Sequence, residues 1–237
     1  MRISHSEPPT ELGTRDGLAY ALFLPAGGAR GEAAGGGVVV LHGAGSCKEN
    51  HFDFARAVRA AGLPAVVFDQ RGHGASDGVL GASALDDVAT AATMLPPGPV
   101  AVRGSSMGGF MALLAGARMQ AAAVVAICPA SGQQLARGLG DREFEFRADE
   151  EGLRALLLSA DERGAAAALG ERLLLLHAEG DERVPIASSR ALHAAAPGSR
   201  LVAVPGGHHR SVQHDGELQA LAVRFIARAL RPRRVPQ

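Results

Sequence analysis

The sequence predicts an α/β domain with a mostly parallel central sheet flanked by helices. Short apolar runs of strand type alternate with longer segments of helical periodicity, which is the pattern of βαβ units. The 237 residues suit one large domain, residues 1–237, and 47% of them are apolar, which is enough for a substantial core. A glycine-flanked serine also lies between a predicted strand and a predicted helix.

Seven strands are expected from the apolar runs. They cover residues 19–24, 38–43, 64–69, 99–104, 122–128, 172–178 and 200–205. Helices are expected at 51–62, about 85–95, 107–118, 188–196 and 215–230. The Gly/Ala-rich connector 25–37 is expected to be a surface loop. Residues from about 131 to 170 interrupt the alternation and are expected to form a small helical cap insertion.

Composition excludes several function classes. The 24 lysines and arginines balance the 24 aspartates and glutamates, so no basic surface for a nucleic acid is expected. The two cysteines, Cys47 and Cys128, form no CxxC pair. The N-terminus has no apolar signal region, and the apolar runs are too short to span a bilayer. These features predict a cytoplasmic protein without a membrane partner, and they leave the oligomeric state open.

The segment VRGSSMGGF, residues 102–110, contains a candidate nucleophile. A serine that exposes its hydroxyl between a strand and a helix sits on a tight, strained turn. Such a turn tolerates only very small residues two positions before and after the serine. Ser106 has Gly104 and Gly108 there, whereas Ser105 would have two bulky residues. The spacing therefore selects Ser106.

Two further motifs resemble those of the α/β-hydrolase superfamily. LHGAGSCKENHFDFARAVRAAG, residues 41–62, resembles the His-Gly loop after the third strand of that family. FDQRGHGASDG, residues 68–78, resembles the turn after its fourth strand. With the serine turn, the resemblance covers essentially the whole chain and implies the α/β-hydrolase fold. Many subfamilies share these motifs, so they say little about the substrate.

The resemblance also implies the acid of a catalytic triad, because the chain order in this superfamily is serine, acid, histidine. Asp181 matches the family pattern H-G-x-x-D-x-x-V-P, with Ala178 in place of the usual glycine. Glu179 and Glu182 compete for this role but fall outside the register. Some members place the acid after the preceding strand, where CPASGQQ, residues 128–134, has no carboxylate.

PGGHHR, residues 205–210, follows the last predicted strand, where the superfamily keeps its base. Adjacent residues in an extended turn point in roughly opposite directions, so one of His208 and His209 is expected to face the site. Similar sequences read P-G-x-x-H or G-G-x-H-R here, and both alignments place the base at His209. A loop shifted by one residue would place it at His208.

A negative charge that develops on a substrate oxygen needs two backbone N–H donors. Met107, which follows the candidate nucleophile at a helix N-terminus, is expected to supply one of them. The resemblance implies Ala44, which follows the His-Gly pair, as the second donor.

No cofactor and no metal are expected. GAGSCK, residues 43–48, follows a strand but lacks the third glycine of a dinucleotide-binding turn. The histidines show no H-x-x-x-H spacing of a helical metal site.

These residues predict a serine hydrolase that cleaves a small-molecule ester or thioester through an acyl-enzyme. The insertion has only Phe144 and Phe146 as aromatic residues, which favours a small to medium acyl group. Two alternatives use the same triad: a perhydrolase-type haloperoxidase and an acyltransferase. A non-catalytic binding module is the alternative from a different class. Dehalogenases and epoxide hydrolases are disfavoured because those branches carry aspartate where this chain has Ser106.

Overall fold

The computed structural model describes residues 7–26, 35–141 and 143–231. Within them, eight strands form one sheet in the order β1-β2-β4-β3-β5-β6-β7-β8. The strands are β1 (Glu11–Arg15), β2 (Leu18–Phe23), β3 (Gly37–Leu41), β4 (Ala65–Phe68), β5 (Val100–Ser105), β6 (Ala123–Ile127), β7 (Leu173–Ala178) and β8 (Arg200–Val204). Strand β2 pairs antiparallel with β1 and β4, and the other neighbours are parallel. The predicted mostly parallel sheet is confirmed.

Helices cover both faces of this sheet. They are α1 (Phe52–Ala60), α2 (Ala84–Ala92), α3 (Met107–Arg118), α4 (Gly132–Gly140), α5 (Glu150–Ser159), α6 (Glu162–Leu169), α7 (Ala187–Ala195), α8 (Ser211–His214) and α9 (Gly216–Leu230). Helices α1 and α9 enclose one apolar core against the sheet, and α2, α3, α6 and α7 enclose the other. Every residue of β3, β4, β6 and β7 is buried, as expected for strands covered on both faces.

Side-chain caps set where several helices begin. The carboxylate of Asp215 accepts the N–H groups of Glu217 and Leu218 at the start of α9. Ser131 and Gln134 form a reciprocal capping box at the start of α4. Each cap satisfies N–H groups that have no partner within the helix, so these boundaries are fixed locally by sequence.

Strand β1 is not among the seven strands expected from the sequence. Four of its five residues are exposed, so it lacks the apolar alternation by which the other strands were found. It pairs with β2 across Asp16-Gly17, whose φ angles are +51° and +78°. An Asp-Gly pair with positive φ at both positions is typical of a two-residue hairpin turn, and this was the available signal.

Residues 131–170 contain three helices. Helices α4 and α5 pack on each other, and α6 packs against α3 and α7. The bounds of the expected cap insertion remain a prediction. Residues 27–34 of the predicted connector lie outside the described residues. None of the described helices has both the length and the apolar character needed to cross a membrane.

Candidate active site

Ser106 occupies a strained turn between β5 and α3. Its φ and ψ are +56° and −118°, a conformation that residues with a side chain rarely adopt. A Cβ atom at Gly104 would collide with the carbonyl of Gly108, and one at Gly108 would collide with the carbonyl of His42. Ser105 is buried, whereas Ser106 is partly exposed. Of the two serines, Ser106 therefore offers the accessible hydroxyl.

This turn lies where the sheet order reverses. Strand β3 sits between β4 and β5, so the loops after β3 and β5 leave the sheet side by side. A Cβ atom at Gly43, in the loop after β3, would lie 3.3 Å from the Cβ of Ser106. A crevice at the carboxyl ends of strands beside such a reversal is the usual ligand site of open α/β sheets.

Asp181 and His209 meet at the ends of β7 and β8. Nδ1 of His209 lies 2.7 Å from Oδ2 of Asp181, while Oδ1 accepts the N–H groups of Arg183 and Val184 at 2.9 and 2.8 Å. Burial pushes the pKa of Asp181 upward, but the hydrogen bonds from Val184, His209 and Arg183 outweigh it and hold that pKa below its ordinary value. The carboxylate is therefore ionised at neutral pH and holds the imidazole by one nitrogen.

The competing side chains face elsewhere. His208 is exposed, and its N–H and carbonyl both bond the hydroxyl of Ser211. Glu179 pairs with Arg190 at 3.2 Å. Glu182 accepts the backbone N–H of His209 at 3.1 Å but not its ring. The structure therefore brings Asp181 to the imidazole of His209.

His177 supports the loop that carries Asp181, a role that the sequence did not indicate. It is buried, with Nδ1 2.7 Å from the hydroxyl of Ser189 and Nε2 2.9 Å from the carbonyl of Val184. Its Nε2 also lies 3.5 Å from Oδ2 of Asp181. Burial lowers the pKa of His177, so the ring is neutral. Its two hydrogen bonds connect Ser189 to the loop that carries Asp181.

The backbone N–H groups of Ala44 and Met107 have no hydrogen-bond partner among the described residues. The orientation of Ala44 is fixed through His42, whose Nδ1 bonds the carbonyl of Gly43 at 2.8 Å while Nε2 accepts the N–H of Gln70 at 3.0 Å. The carbonyl of Gly43 and the N–H of Ala44 belong to one trans peptide and point in opposite directions. Fixing the carbonyl therefore fixes the donor.

Comparison with known proteins relates this chain to a family of hydrolases. The model of a family described as serine aminopeptidase, S33 (Hydrolase_4) matches residues 32–145. The structure of Est1E from Butyrivibrio proteoclasticus is similar with a TM-score of 0.69 at 21% identity, over 93% of this chain and 97% of that one. The chain has the α/β-hydrolase fold and resembles the superfamily of that name. The predicted fold and the predicted resemblance are thereby confirmed.

Two further α/β-hydrolase structures show the breadth of the likeness. The monoacylglycerol lipase of Paleococcus ferrophilus has a TM-score of 0.63 at 19% identity, over 90% of this chain and 98% of that one. BpoC of Mycobacterium tuberculosis H37Rv, described as a non-heme bromoperoxidase, has a TM-score of 0.67 at 18% identity, over 92% and 97%. No curated protein matches the sequence significantly. At these identities the likeness establishes the fold.

A row of aromatic rings joins the insertion to the His-Gly loop. The His42 and His73 rings lie 4.8 Å apart, and Phe146 stacks on His73 at 4.3 Å. Phe144 continues the row at 5.7 Å from Phe146. Phe144 and Phe146, the two aromatic residues noted in the insertion, thus pack in a row that ties the insertion to the loop after β3.

The imidazole and the nucleophile come from the loops after β8 and β5, which β6 and β7 separate in the sheet. Asp181 occupies Nδ1 of His209, which leaves Nε2 as the nitrogen available to a hydroxyl. Among the hydrogen bonds of the described residues, none joins Ser106 to His209. His209 follows Gly206 and Gly207, whose φ angles are +65° and +72°. Residues with a side chain would be strained in this conformation.

One group of side chains among the described residues has the composition of a metal site. Cys128, Asp181 and His209 each offer a ligand atom, and these atoms lie within 4.8 Å of one another. No sequence motif indicates this group, because its members come from three separate loops.

Proposed function

We propose that the protein is a serine hydrolase that cleaves a carboxylic ester or thioester through an acyl-enzyme. The observation that carries the proposal is the 2.7 Å contact between the buried carboxylate of Asp181 and Nδ1 of His209. An imidazole held this way by its first nitrogen presents the second as a base. Ser106, on its strained turn between β5 and α3, is the proposed nucleophile.

In the proposed acylation, Oγ of Ser106 attacks the substrate carbonyl carbon while its proton passes to Nε2 of His209. The negative charge on the carbonyl oxygen is stabilised by the N–H groups of Ala44 and Met107. The tetrahedral intermediate collapses as the bond to the leaving alkoxide or thiolate breaks, and His209 returns the proton to that group. Asp181 stabilises the imidazolium that forms in between.

Deacylation repeats these steps with water as the nucleophile. Water loses a proton to His209 and attacks the acyl carbon, and the ester bond to Ser106 breaks with return of the proton to Oγ. The products are a carboxylic acid and the free enzyme. The two half-reactions together consume only the ester or thioester and water, so they require no cofactor and no oxidant.

The proposed substrate is a small molecule with a small to medium acyl group. Est1E, a structural neighbour, has been solved with ferulic acid bound, and another neighbour is a monoacylglycerol lipase. The row of rings that includes Phe146 and His73 keeps the insertion close to the His-Gly loop. A tethered insertion favours a compact substrate over a long lipid chain. We also retain the cytoplasm as the proposed location.

A fluorophosphonate probe tests the proposed nucleophile, and p-nitrophenyl esters of graded chain length with acyl-CoA thioesters test the substrate class. Labelling of the wild type and its loss in Ser106→Ala are expected, with fastest turnover on short to medium esters. An inert wild type would support the non-catalytic binding module instead. An aminoacyl p-nitroanilide belongs in the panel because the matched family is described as an aminopeptidase.

A perhydrolase is the second candidate, favoured by the likeness to BpoC. It would use the same acyl-enzyme but pass the acyl group to hydrogen peroxide, giving a peracid. Partition of the acyl-enzyme between water, peroxide and an added alcohol separates hydrolase, perhydrolase and acyltransferase. Formation of the carboxylic acid as the main product at millimolar peroxide would support the hydrolase.

A further inference from the structure

Cys128 lies beside the Asp181–His209 contact, although the proposed reaction does not use it. It directly follows β6, is buried, and has a φ of +43°, which is rare for a residue with a side chain. Its Sγ, a carboxylate oxygen of Asp181 and a ring nitrogen of His209 lie within 4.8 Å of one another. The three residues follow three adjacent parallel strands, so the sheet itself brings them together.

Thiolate, imidazole and carboxylate form a ligand set that Zn²⁺ prefers. Bond lengths of about 2.0–2.3 Å place the ligand atoms of a tetrahedral zinc site about 3.3–3.6 Å apart. Nδ1 of His209 and Oδ2 of Asp181 lie 2.7 Å apart, which is closer than this range. No separation among the three ligand atoms exceeds its upper end by more than about 1.2 Å, given their 4.8 Å limit. A rotation of the His209 ring, which lies on the loop after Gly206 and Gly207, can supply this adjustment.

The charges of the three side chains also suit a divalent cation at this position. On binding, the cation displaces the proton of the Cys128 thiol to solvent, and the proton on Nδ1 of His209 moves to Nε2. One thiolate and one carboxylate then balance the two positive charges, and no charge is left unpaired in the buried site.

We propose that Cys128, Asp181 and His209 form an inhibitory site for a thiophilic divalent cation such as Zn²⁺ or Cd²⁺. The bound cation takes the ring nitrogen and carboxylate oxygen that otherwise hold each other, so the imidazole is no longer available as a base. Mg²⁺ and Ca²⁺ prefer all-oxygen sites and do not compete. The binding is independent of the proposed function, whereas the inhibition rests on it.

Binding is tested by titrating the full chain with Cd²⁺ and following the ultraviolet thiolate-to-cadmium absorption. The chain has two cysteines, so Cys47→Ala leaves Cys128 as the only thiol and serves as the matched background. This variant is expected to develop the absorption with one equivalent of Cd²⁺. Cys47→Ala/Cys128→Ser, which keeps a small polar side chain, is expected to lose it. No absorption in Cys47→Ala would overturn the site.

Inhibition is tested on the same variants with an activated ester and free Zn²⁺. Each rate is expressed relative to the metal-free rate of that variant. Cys47→Ala is expected to lose activity with Zn²⁺ and regain it with EDTA, and Cys47→Ala/Cys128→Ser is expected to need at least about tenfold more Zn²⁺. Cadmium absorption without inhibition would refute the inhibitory role alone. A protein that hydrolyses no ester yet gives the absorption would refute the proposed function and leave the metal site standing.

Discussion

Arg103 extends from β5 to the end of α8, where its Nη2 donates to the carbonyl oxygen of Gln213 at 3.2 Å. Its Nη1 lies 2.7 Å from Nδ1 of His51, and its guanidinium lies 4.7 Å from the centre of the Phe54 ring. The side chain is fully buried, and burial lowers the pKa of Arg103 to about 10. The contact links the strand that leads to Ser106 with the helix that follows the His209 loop.

Arg103→Met is expected to weaken both stability and turnover. Loss of the guanidinium leaves buried acceptors without a donor, which costs about 1–3 kcal/mol in the free energy of unfolding. The His209 loop also loses an anchor, so kcat should fall more than KM changes. Urea unfolding and ester kinetics check this, with the exposed Arg118→Met as control. An unchanged kcat would show that Arg103 does not position the loop.

Ser106→Ala should abolish turnover and fluorophosphonate labelling while the protein stays folded. Ser105→Ala should keep most of its activity, because Ser105 is buried beside the turn. Mass spectrometry of the labelled protein and circular dichroism provide the two readouts. If Ser105→Ala were the inactive variant, the assignment from glycine spacing would be wrong.

Asp181→Asn should retain the fold and lower kcat by about 10⁴-fold, because an amide favours the wrong tautomer of the imidazole. Glu182→Gln is the matched control, since Glu182 accepts the backbone N–H of His209 rather than the ring. Its kcat should stay within about tenfold of the wild type. The reverse ranking would transfer the acid role to Glu182.

His209→Ala should fall to the level of Ser106→Ala, because members of a triad fail as a unit. His208→Ala should lose at most about tenfold, since the His208 ring accepts the backbone N–H of Arg210 at 3.3 Å, whereas Asp181 holds the ring of His209. Both variants are assayed on one activated ester. Two active variants would remove the triad from the mechanism.

The free energy of unfolding should fall as the pH drops from about 6.5 toward 4. His42 is fully buried, and burial lowers its pKa from 6.5 to about 4. In this interval the unfolded chain binds a proton that the folded protein excludes, so up to about 3 kcal/mol is lost. Urea unfolding at several pH values measures the loss. His42→Asn, which can still donate to Gly43 but does not titrate, should show a smaller drop, and an equal drop would exclude His42 as its source.

The parts of the molecule that could be predicted are those that depend on local sequence. The turn at Ser106 follows from two glycines whose Cβ atoms would have no room, and α3 was predicted with its observed bounds. Asp181 and His209 needed a family resemblance, because nothing local joins residues on different strands. Their catalytic roles remain predictions, although the structure places them in contact.

Long-range contacts account for what the sequence missed. Cys128 was interpreted by its spacing to other cysteines, whereas its neighbours come from the ends of β7 and β8. Arg103 is one of the two bulky residues that flank Ser105 at the positions where the turn needs glycine. Its hydrogen-bond partners, His51 and Gln213, lie far away along the chain. Such contacts depend on the order of strands in the sheet, which apolar periodicity does not encode.

The order of the strands also bears on how the protein is made. Ser106 lies near the middle of the chain, whereas His209 follows β8, the last strand of the described sheet. A domain generally folds as a unit, and strand β8 is synthesised last among the strands of this sheet. Under the proposed mechanism, a nascent chain that stops before β8 has the serine but no base. Such a half-made chain therefore cannot hydrolyse the esters around it.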